Sequence, residues 1–97
     1  MTASRWWIMT IIEDVFSSKG RMKILKVLAD IGEVNVSEIA RRAGLNYSTT
    51  KKHLHVLESH DLVRHKKFGR IRIFRLNEEN PGAKMVRELI ESWEQTK

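Results

Sequence analysis

The chain has 97 residues, which is the size of one domain with a modest hydrophobic core. It is 41% hydrophobic and 31% charged, carries a net charge of +6 and has no cysteine, which excludes disulfides, a thiol redox switch and thiolate metal ligands. The apolar run at residues 6–12 is followed by Glu13 and Asp14 and by no small-residue cleavage site, so we expect neither a signal peptide nor a membrane span.

The excess positive charge is concentrated in one segment. Residues 47–75 contain eight basic and two acidic residues, whereas the rest of the chain contains ten of each. The basic side chains of the segment are Lys51, Lys52, Arg64, Lys66, Lys67, Arg70, Arg72 and Arg75. A local excess of this kind is typical of a surface that binds phosphates. The alternative is a charged face that only keeps the protein soluble.

The N-terminal residues are too apolar for a loose tail. The run WWIMTII at residues 6–12 fits a helix or a strand, and we predict a helix. Ser17 or Ser18 can cap a second helix, in which apolar residues recur with helical spacing until Gly32 ends it. The apolar stripe of this second helix consists of Ile24, Val27, Leu28 and Ile31.

A third helix is predicted after a short extended piece at residues 34–36. Ser37 is its predicted cap, and Glu38 in the first turn complements the helix dipole. Its inner face consists of Ile39, Ala40 and Ala43. Gly44 ends this helix, and a turn of about three residues leads to Asn46, which can cap the next one. Two short helices joined by such a turn are typical of a helix-turn-helix.

The fourth helix, predicted over residues 47–60, has two distinct faces at 100° per residue. The inward face consists of Thr50, Leu54 and Leu57. The outward face consists of Ser48, Lys52, His55 and Ser59, with Thr49 at its edge. Val56 also points outward, where only the following hairpin or a partner could cover it.

Two β-strands are predicted next, at residues 62–68 and 71–76, with a turn at residues 69–70. Apolar and cationic residues alternate at the start of the second strand, so one side of the hairpin should be apolar and the other cationic. The alternating residues are Arg70, Ile71, Arg72 and Ile73.

The last helix is predicted to start with Asn80 as its cap and Pro81 as its first residue. Its apolar stripe consists of Val86, Leu89, Ile90 and Trp93.

The stretch VNVSEIARRAGLNYSTTKKHLHVLESHDLVRHKKFGRIRIFRL, taken in this order of elements, resembles the winged helix-turn-helix of the ArsR-like transcriptional regulators of bacteria and archaea. The resemblance covers roughly residues 17–80, and MarR-like and other winged domains share much of it. It implies a mainly α fold with a small β-hairpin, of the α+β class, in a single domain at residues 1–97. Residues 1–16 would then be an N-terminal dimerisation segment and residues 81–97 a C-terminal dimerisation helix.

The resemblance also indicates which residues bind DNA. Ser48, Thr49 and Lys52 on the recognition helix have side chains suited to base edges. The alternative for the two hydroxyls is that they only cap the helix and keep it soluble. Arg70 in the wing is predicted to enter a minor groove, with Lys66 and Lys67 as phosphate contacts. The predicted DNA-binding residues are Asn46, Tyr47, Ser48, Thr49, Lys51, Lys52, Lys66, Lys67, Arg70 and Arg72. The cations of the second helix and Arg41 and Arg42 are secondary candidates, and for these two arginines a solvated face explains the charge equally well.

A homodimer follows from the same resemblance, because N- and C-terminal helices of ArsR-like proteins pair across a two-fold axis. The predicted interface residues are Trp6, Ile8, Ile11, Ile12, Val86, Leu89, Ile90 and Trp93. Such a dimer would place two recognition helices about one DNA turn apart, roughly 34 Å. The alternative is that both ends pack within one chain.

The sequence offers no convincing metal or catalytic site. His53 and His55 are two residues apart on a helix and point about 200° away from each other, which makes a poor chelate. ArsR-like metal sensors use cysteines near this helix, or Asp and His on the terminal helix, and this chain has no cysteine and no histidine in its last helix. A Gly-rich phosphate loop, a nucleophile elbow and a His-Glu metal helix are absent, so we expect neither an enzyme nor a bound cofactor.

The sequence therefore predicts a cytoplasmic, sequence-specific regulator whose partners are double-stranded DNA and a second copy of the chain, with no membrane contact and no indicated small-molecule effector. One alternative is a non-specific DNA-coating protein of chromatin type, because the recognition helix lacks arginine and glutamine. Another is a winged helix that binds only proteins.

Overall fold

The computed structural model of the protein describes residues 6–95, and their side chains from residue 10 onward. Five helices and three strands follow the predicted order, in the α+β class. They are α1 (Trp6–Phe16), α2 (Lys19–Ile31), β1 (Val34–Asn35), α3 (Val36–Ala43), α4 (Tyr47–Ser59), β2 (Val63–Phe68), β3 (Ile71–Leu76) and α5 (Pro81–Gln95). The N-terminal segment is thus a helix and not a strand from Trp6 onward. None of the helices in this described part is both long and apolar enough to cross a membrane.

The three strands form one antiparallel sheet in the order β1-β3-β2. The short β1 covers the inner end of β3 by pairing Val34 with Phe74. The hairpin of β2 and β3 runs from Val63 opposite Leu76 to Phe68 opposite Ile71. Because β1 is only two residues long, the outer half of the hairpin projects as a two-stranded ribbon.

The core is one cluster in which α2 occupies the centre. On α2, Ile24 and Leu28 are fully buried as predicted, and Leu25 is fully buried as well. Ile31 from the same predicted stripe is exposed instead, because the helix ends there at Gly32. The other large apolar side chains that are fully buried in the described part of the chain are Val15, Ile39, Leu54, Leu57, Val63 and Leu76.

Side chains cap the first turns of α2 and α3, and one of the predicted caps is wrong. Ser18 accepts a hydrogen bond from the Arg21 amide, as one of the two predicted alternatives. For α3 the predicted cap Ser37 is wrong, because the Asn35 side chain accepts from the Glu38 amide at 2.8 Å. Val36 is buried in the core and begins the helix there, so Ser37 becomes an exposed residue of the first turn.

The predicted separation of the hairpin into an apolar and a cationic side is also wrong. Its core side is formed by Val63, Phe74 and Leu76. Residues directly opposite one another in an antiparallel pair share a face. The register therefore places Ile71 with Phe68 and Ile73 with Lys66 on the side away from the core.

Helix α5 begins as predicted, with the Asn80 side chain accepting a hydrogen bond from the Gly82 amide at 2.7 Å. Its apolar stripe is divided between two surroundings. Val86 and Ile90, predicted for the dimer interface, are buried against the core of the same chain, because their spacing turns both toward α2. Leu89 and Trp93 are exposed.

The predicted interface residues of α1 are divided as well. Ile11 packs partly against the core, and Ile12 is exposed. The side chains of Trp6 and Ile8 lie outside the described residues, as do residues 1–5 and 96–97 of the predicted dimerisation segments.

Candidate nucleic-acid interface

Helix α4 is held in one rotational setting by its buried face. Leu54 and Leu57 are in the core, and Thr50 is fully buried with its hydroxyl donating to the Asn46 carbonyl at 2.8 Å. The Asn46 side chain caps the helix by accepting from the Thr49 amide at 2.7 Å. The predicted cap and inward face of this helix are therefore correct, and its opposite face is fixed toward solvent.

That solvent face carries the predicted contact residues. Ser48 and Lys52 are exposed, and Thr49 at the edge is half-buried. Lys51 and Tyr47 stand together at the N-terminal end of the helix, with the Lys51 ammonium 5.7 Å from the centre of the Tyr47 ring. The hydroxyls and the ammonium groups are thus free to meet a large ligand approaching along the helix.

The outer part of the β2–β3 hairpin carries the second group of predicted residues. Its turn is tight because Gly69 adopts a φ of 63°, in the left-handed region that glycine favours. All four predicted cations of the hairpin are exposed. They are Lys66, Lys67, Arg70 and Arg72.

A groove of about 390 Å³ brings together four of the predicted residues. The other six do not line it, namely Asn46, Ser48, Thr49, Lys52, Lys66 and Lys67. Tyr47 and Lys51 of α4 line one wall, and Arg70 and Arg72 of the hairpin line the other. Leu54 and Phe74 also line it, together with the first residues of α3. Two segments separated by about twenty residues in the sequence therefore present their positive charges toward one channel.

The arginines differ in whether their charge is neutralised. Those at 21, 41, 42, 64 and 87 each have a carboxylate within 4.0 Å. Within residues 10–95, Arg70, Arg72 and Arg75 are the arginines that have no such partner. The lysines at 51, 52, 66 and 67 also form no ion pair in that part of the chain. The lysines at 19, 23, 26 and 84 are unpaired in the same way, so the hairpin is distinguished by its unpaired arginines. Arg70 and Arg72 line the same groove as Lys51 of α4.

Two asparagines after the hairpin, Asn77 and the predicted helix cap Asn80, anchor it to the residue that follows α4 and its cap. Asp61 has a φ of 62°, and its carbonyl accepts from the side chains of Asn77 at 3.0 Å and Asn80 at 2.9 Å. Asn77 is almost fully buried. An asparagine directly after a strand gives no indication of such a role, because the partner is sixteen residues away.

A family model described as a helix-turn-helix domain matches residues 16–66, which is more than half of the chain. The chain belongs to this helix-turn-helix family. No curated protein matches it.

Solved structures extend the likeness of this helix-turn-helix protein to the hairpin and the terminal helices. The homodimeric winged helix-turn-helix DNA-binding domain of a possible ArsR-family regulator from Mycobacterium bovis is 23% identical, with a TM-score of 0.77 over 97% of this chain and 84% of that chain. HlyU from Vibrio cholerae is 25% identical, with a TM-score of 0.75 over 88% and 89%. The transcriptional repressor BigR from Xylella fastidiosa is 20% identical, with a TM-score of 0.75 over 94% and 87%. The fold is the winged helix-turn-helix, which confirms the resemblance to ArsR-like regulators at the level of the fold.

Arg41 and Arg42 of this helix-turn-helix protein are not among the unpaired cations, because both form ion pairs with Glu38. Both donate to the Glu38 carboxylate, Arg42 at 2.7 Å. The hydrogen bond from Arg41, followed by that from Arg42, lowers the pKa of Glu38, and the same contact raises the pKa of Arg41. The two arginines share this one carboxylate within α3, so one of their two positive charges is neutralised, which favours the solvated face for this pair.

Three histidines of the helix-turn-helix core have structural partners. His65 Nδ1 lies 2.7 Å from a Glu58 carboxylate oxygen, which joins β2 to α4. His60 Nε2 lies 2.8 Å from Asp14, which joins the end of α4 to α1. His53 packs against Gly20, and its burial, with a smaller effect of the Arg21 charge, lowers its pKa. No group of three or more potential metal ligands occurs among the described histidine and carboxylate side chains.

Proposed function

We propose that the protein is a homodimeric transcriptional regulator that binds double-stranded DNA. Helix α4 would lie in the major groove, and the β2–β3 hairpin, the wing, would lie along the backbone and the adjacent minor groove. The observation that carries this proposal is the channel between α4 and β3, with uncompensated cations on both walls. A duplex carries one phosphate charge per about 1.7 Å, so it complements a channel lined by Lys51, Arg70 and Arg72.

The contacts divide into two kinds by their position. Ser48 and Lys52 are exposed in the first turns of α4, where a recognition helix meets base edges. Lys66 and Lys67 on the wing would contact phosphates, which increases affinity without selecting a sequence. Arg70 in the wing turn would enter the minor groove, since a narrow minor groove attracts arginine.

The apolar surface left on the terminal helices supports a second copy as partner. Ile12 and Phe16 of α1 and Leu89 and Trp93 of α5 are exposed. Both helices pack on α2, and exposed apolar groups of this kind are typical of a protein–protein contact. A two-fold dimer through these helices would bind an inverted repeat with half-sites about 34 Å apart. A regulator of this kind acts on the chromosome, so we place it in the cytoplasm.

The decisive experiment is to sequence genomic DNA fragments that the purified protein retains at near-physiological salt, in competition with random DNA. We expect a small set of fragments that share an inverted repeat, with an affinity at least about 10³-fold above that for random DNA. Retention without sequence preference would favour a non-specific DNA-coating protein, a reading supported by the lack of arginine and glutamine on the exposed face of α4. No retention at any salt concentration would refute DNA binding.

A further inference from the structure

The tip of the wing is apolar as well as cationic. Phe68 and Ile71 lie directly opposite each other beside the turn, where β2 passes into β3. Phe68 is 62% exposed and Ile71 is 54% exposed. Both belong to the face that points away from the core, so packing within the chain does not account for them. Two large apolar side chains in water at the end of a projecting ribbon need a partner surface.

The surroundings of this apolar pair indicate a polyanionic partner. Lys66, Lys67 and Arg70 surround Phe68 along the chain, and none of them forms an ion pair with a carboxylate of residues 10–95. Ile71 lines the channel that also contains Arg70 and Lys51. Phe68 itself lines a second cleft, together with Glu33 and Lys66. The apolar pair therefore borders the cationic channel that we assign to the duplex through Ile71, and this proximity favours DNA among polyanionic partners.

We propose that Phe68 is an apolar wedge that enters the minor groove and partly unstacks one base step, with Ile71 supporting it from behind. Phenylalanine and isoleucine are among the side chains that proteins insert between base pairs, and such insertion kinks the duplex by about 20–90°. The inference rests on the proposed DNA binding and adds a deformation to it. Pyrimidine–purine steps such as TA unstack most easily, so the wedge also gives a preference at base pairs that no polar group of the wing needs to read.

The test uses a duplex of about 30 base pairs with one central TA step, in which 2-aminopurine replaces the adenine of that step. Unstacking raises 2-aminopurine fluorescence, and fluorophores on the duplex ends report the bend. We expect the wild-type protein at saturation to raise the fluorescence and to bend the duplex by at least about 20°. Phe68→Ala should lose both effects. Phe68→Leu should keep both, because leucine is also a wedge residue.

Lys67→Ala is the matched control, since it removes a cation from the same tip and leaves the wedge intact. It should weaken binding but keep the full fluorescence and bend once the duplex is saturated. Phe68 is mostly exposed, so thermal unfolding followed by circular dichroism should show that Phe68→Ala keeps the wild-type Tm.

The outcomes separate the wedge from DNA binding itself. If the wild-type protein binds the duplex without unstacking or bending it, or if Phe68→Ala does both as well as the wild type, the wedge is refuted and DNA binding stands. The wedge is also refuted if Phe68→Ala leaves the duplex signals unchanged and instead abolishes binding to anionic phospholipid vesicles. If the wild-type protein does not bind the duplex at all, both proposals fail.

Discussion

The Nε2 atom of His60 lies 2.8 Å from the Oδ2 atom of Asp14, which joins the C-terminal cap of the recognition helix to α1. The other carboxylate oxygen of Asp14 lies 3.0 Å from a guanidinium nitrogen of Arg21, and the same nitrogen donates to the Asp14 carbonyl. One carboxylate thus connects α1, α2 and α4. If α1 forms the dimer interface, this connection fixes the recognition helix relative to the second copy.

Asp14→Asn should lower the free energy of unfolding at neutral pH. It should also make that free energy fall less steeply as the pH becomes acidic. The hydrogen bond from His60, followed by the charge of Arg21, lowers the pKa of Asp14 below the ordinary value of 3.8. A carboxyl whose pKa is lower in the folded state contributes stability above its unfolded pKa, and this contribution is lost as the pH falls through the folded pKa. Because Asp14 is more than a third exposed, we expect a loss of only about 1 kcal/mol at neutral pH.

Urea unfolding between pH 7 and about pH 3 measures this effect, since Asp14→Asn should show a flatter acid limb than the wild type. Asp30→Asn on α2 is the matched control, because Asp30 is exposed and forms no ion pair with residues 10–95. Equal acid limbs for the wild type and Asp14→Asn would show that the connection contributes nothing to stability.

His53 should make stability depend on pH in a separate, higher window. Its burial and the nearby charge of Arg21 lower its pKa below the ordinary 6.5, so the unfolded chain binds a proton more readily than the folded one. The contribution of His53 to the free energy of unfolding is therefore complete above about pH 6.5 and is lost as the pH drops through the folded pKa. His53→Leu should remove this dependence. His55→Gln is the control, since His55 is exposed. It should reproduce the wild-type curve of unfolding free energy against pH between about pH 7 and pH 5.

Gly20 and His53 should be energetically coupled. A Cβ atom at Gly20 would lie 2.6 Å from the His53 Nε2 atom and 2.9 Å from its Cδ2 atom, which is too close for both groups to stay in place. Gly20→Ala should therefore cost about 1–3 kcal/mol in the wild type, although alanine is the better helix former by up to about 1 kcal/mol. In the His53→Ala background the same change should be neutral or stabilising. A double-mutant cycle with no coupling would mean that the ring moves away freely.

The recognition helix could be predicted from the sequence because its information is local. The cap at Asn46 and the inward face at Thr50, Leu54 and Leu57 follow from helical spacing alone, and all of them are confirmed. The start of α3 could not be decided in this way, since residues 35 and 37 can both cap. The choice of Asn35 depends on burial of Val36, which is a tertiary effect.

Contacts between residues that are far apart in the chain cannot be predicted from the spacing of residue types. The pairing of His60 with Asp14 spans 46 residues, and no period in the sequence relates them. Helical spacing predicts the apolar stripe of α5, but it does not predict which residues of the stripe pack within the chain and which stay exposed. Val86 and Ile90 pack inward, whereas Leu89 remains exposed, because the position of α2 decides the division. The exposure of Phe68 also cannot be predicted from the sequence, since a phenylalanine in a strand is usually a core residue.

The salt dependence of DNA binding should distinguish paired from uncompensated cations. Lys66→Ala and Lys67→Ala should each weaken binding to every duplex and flatten the slope of log affinity against log salt by about one unit. Arg41→Ala should change the slope less, because Arg41 and Arg42 both pair with the Glu38 carboxylate. Ser48→Ala and Lys52→Ala should instead alter the ranking of duplex sequences, measured by competition between fragments. Wild-type slopes for both Lys66→Ala and Lys67→Ala would refute the assignment of the wing as the phosphate contact.

The exposed part of the α5 stripe should control assembly, and the buried part should control stability. Leu89→Glu places a charge on an exposed apolar position, so it should convert the proposed dimer to folded monomers in sedimentation equilibrium. Val86→Ala should cost about 1–3 kcal/mol in urea unfolding, because it removes buried methyl groups, and should leave the association state unchanged. A Leu89→Glu protein that still sediments as a dimer would place the interface elsewhere. Since two half-sites bind together only through the dimer, monomeric Leu89→Glu should also lose most of its preference for an inverted repeat over a single half-site.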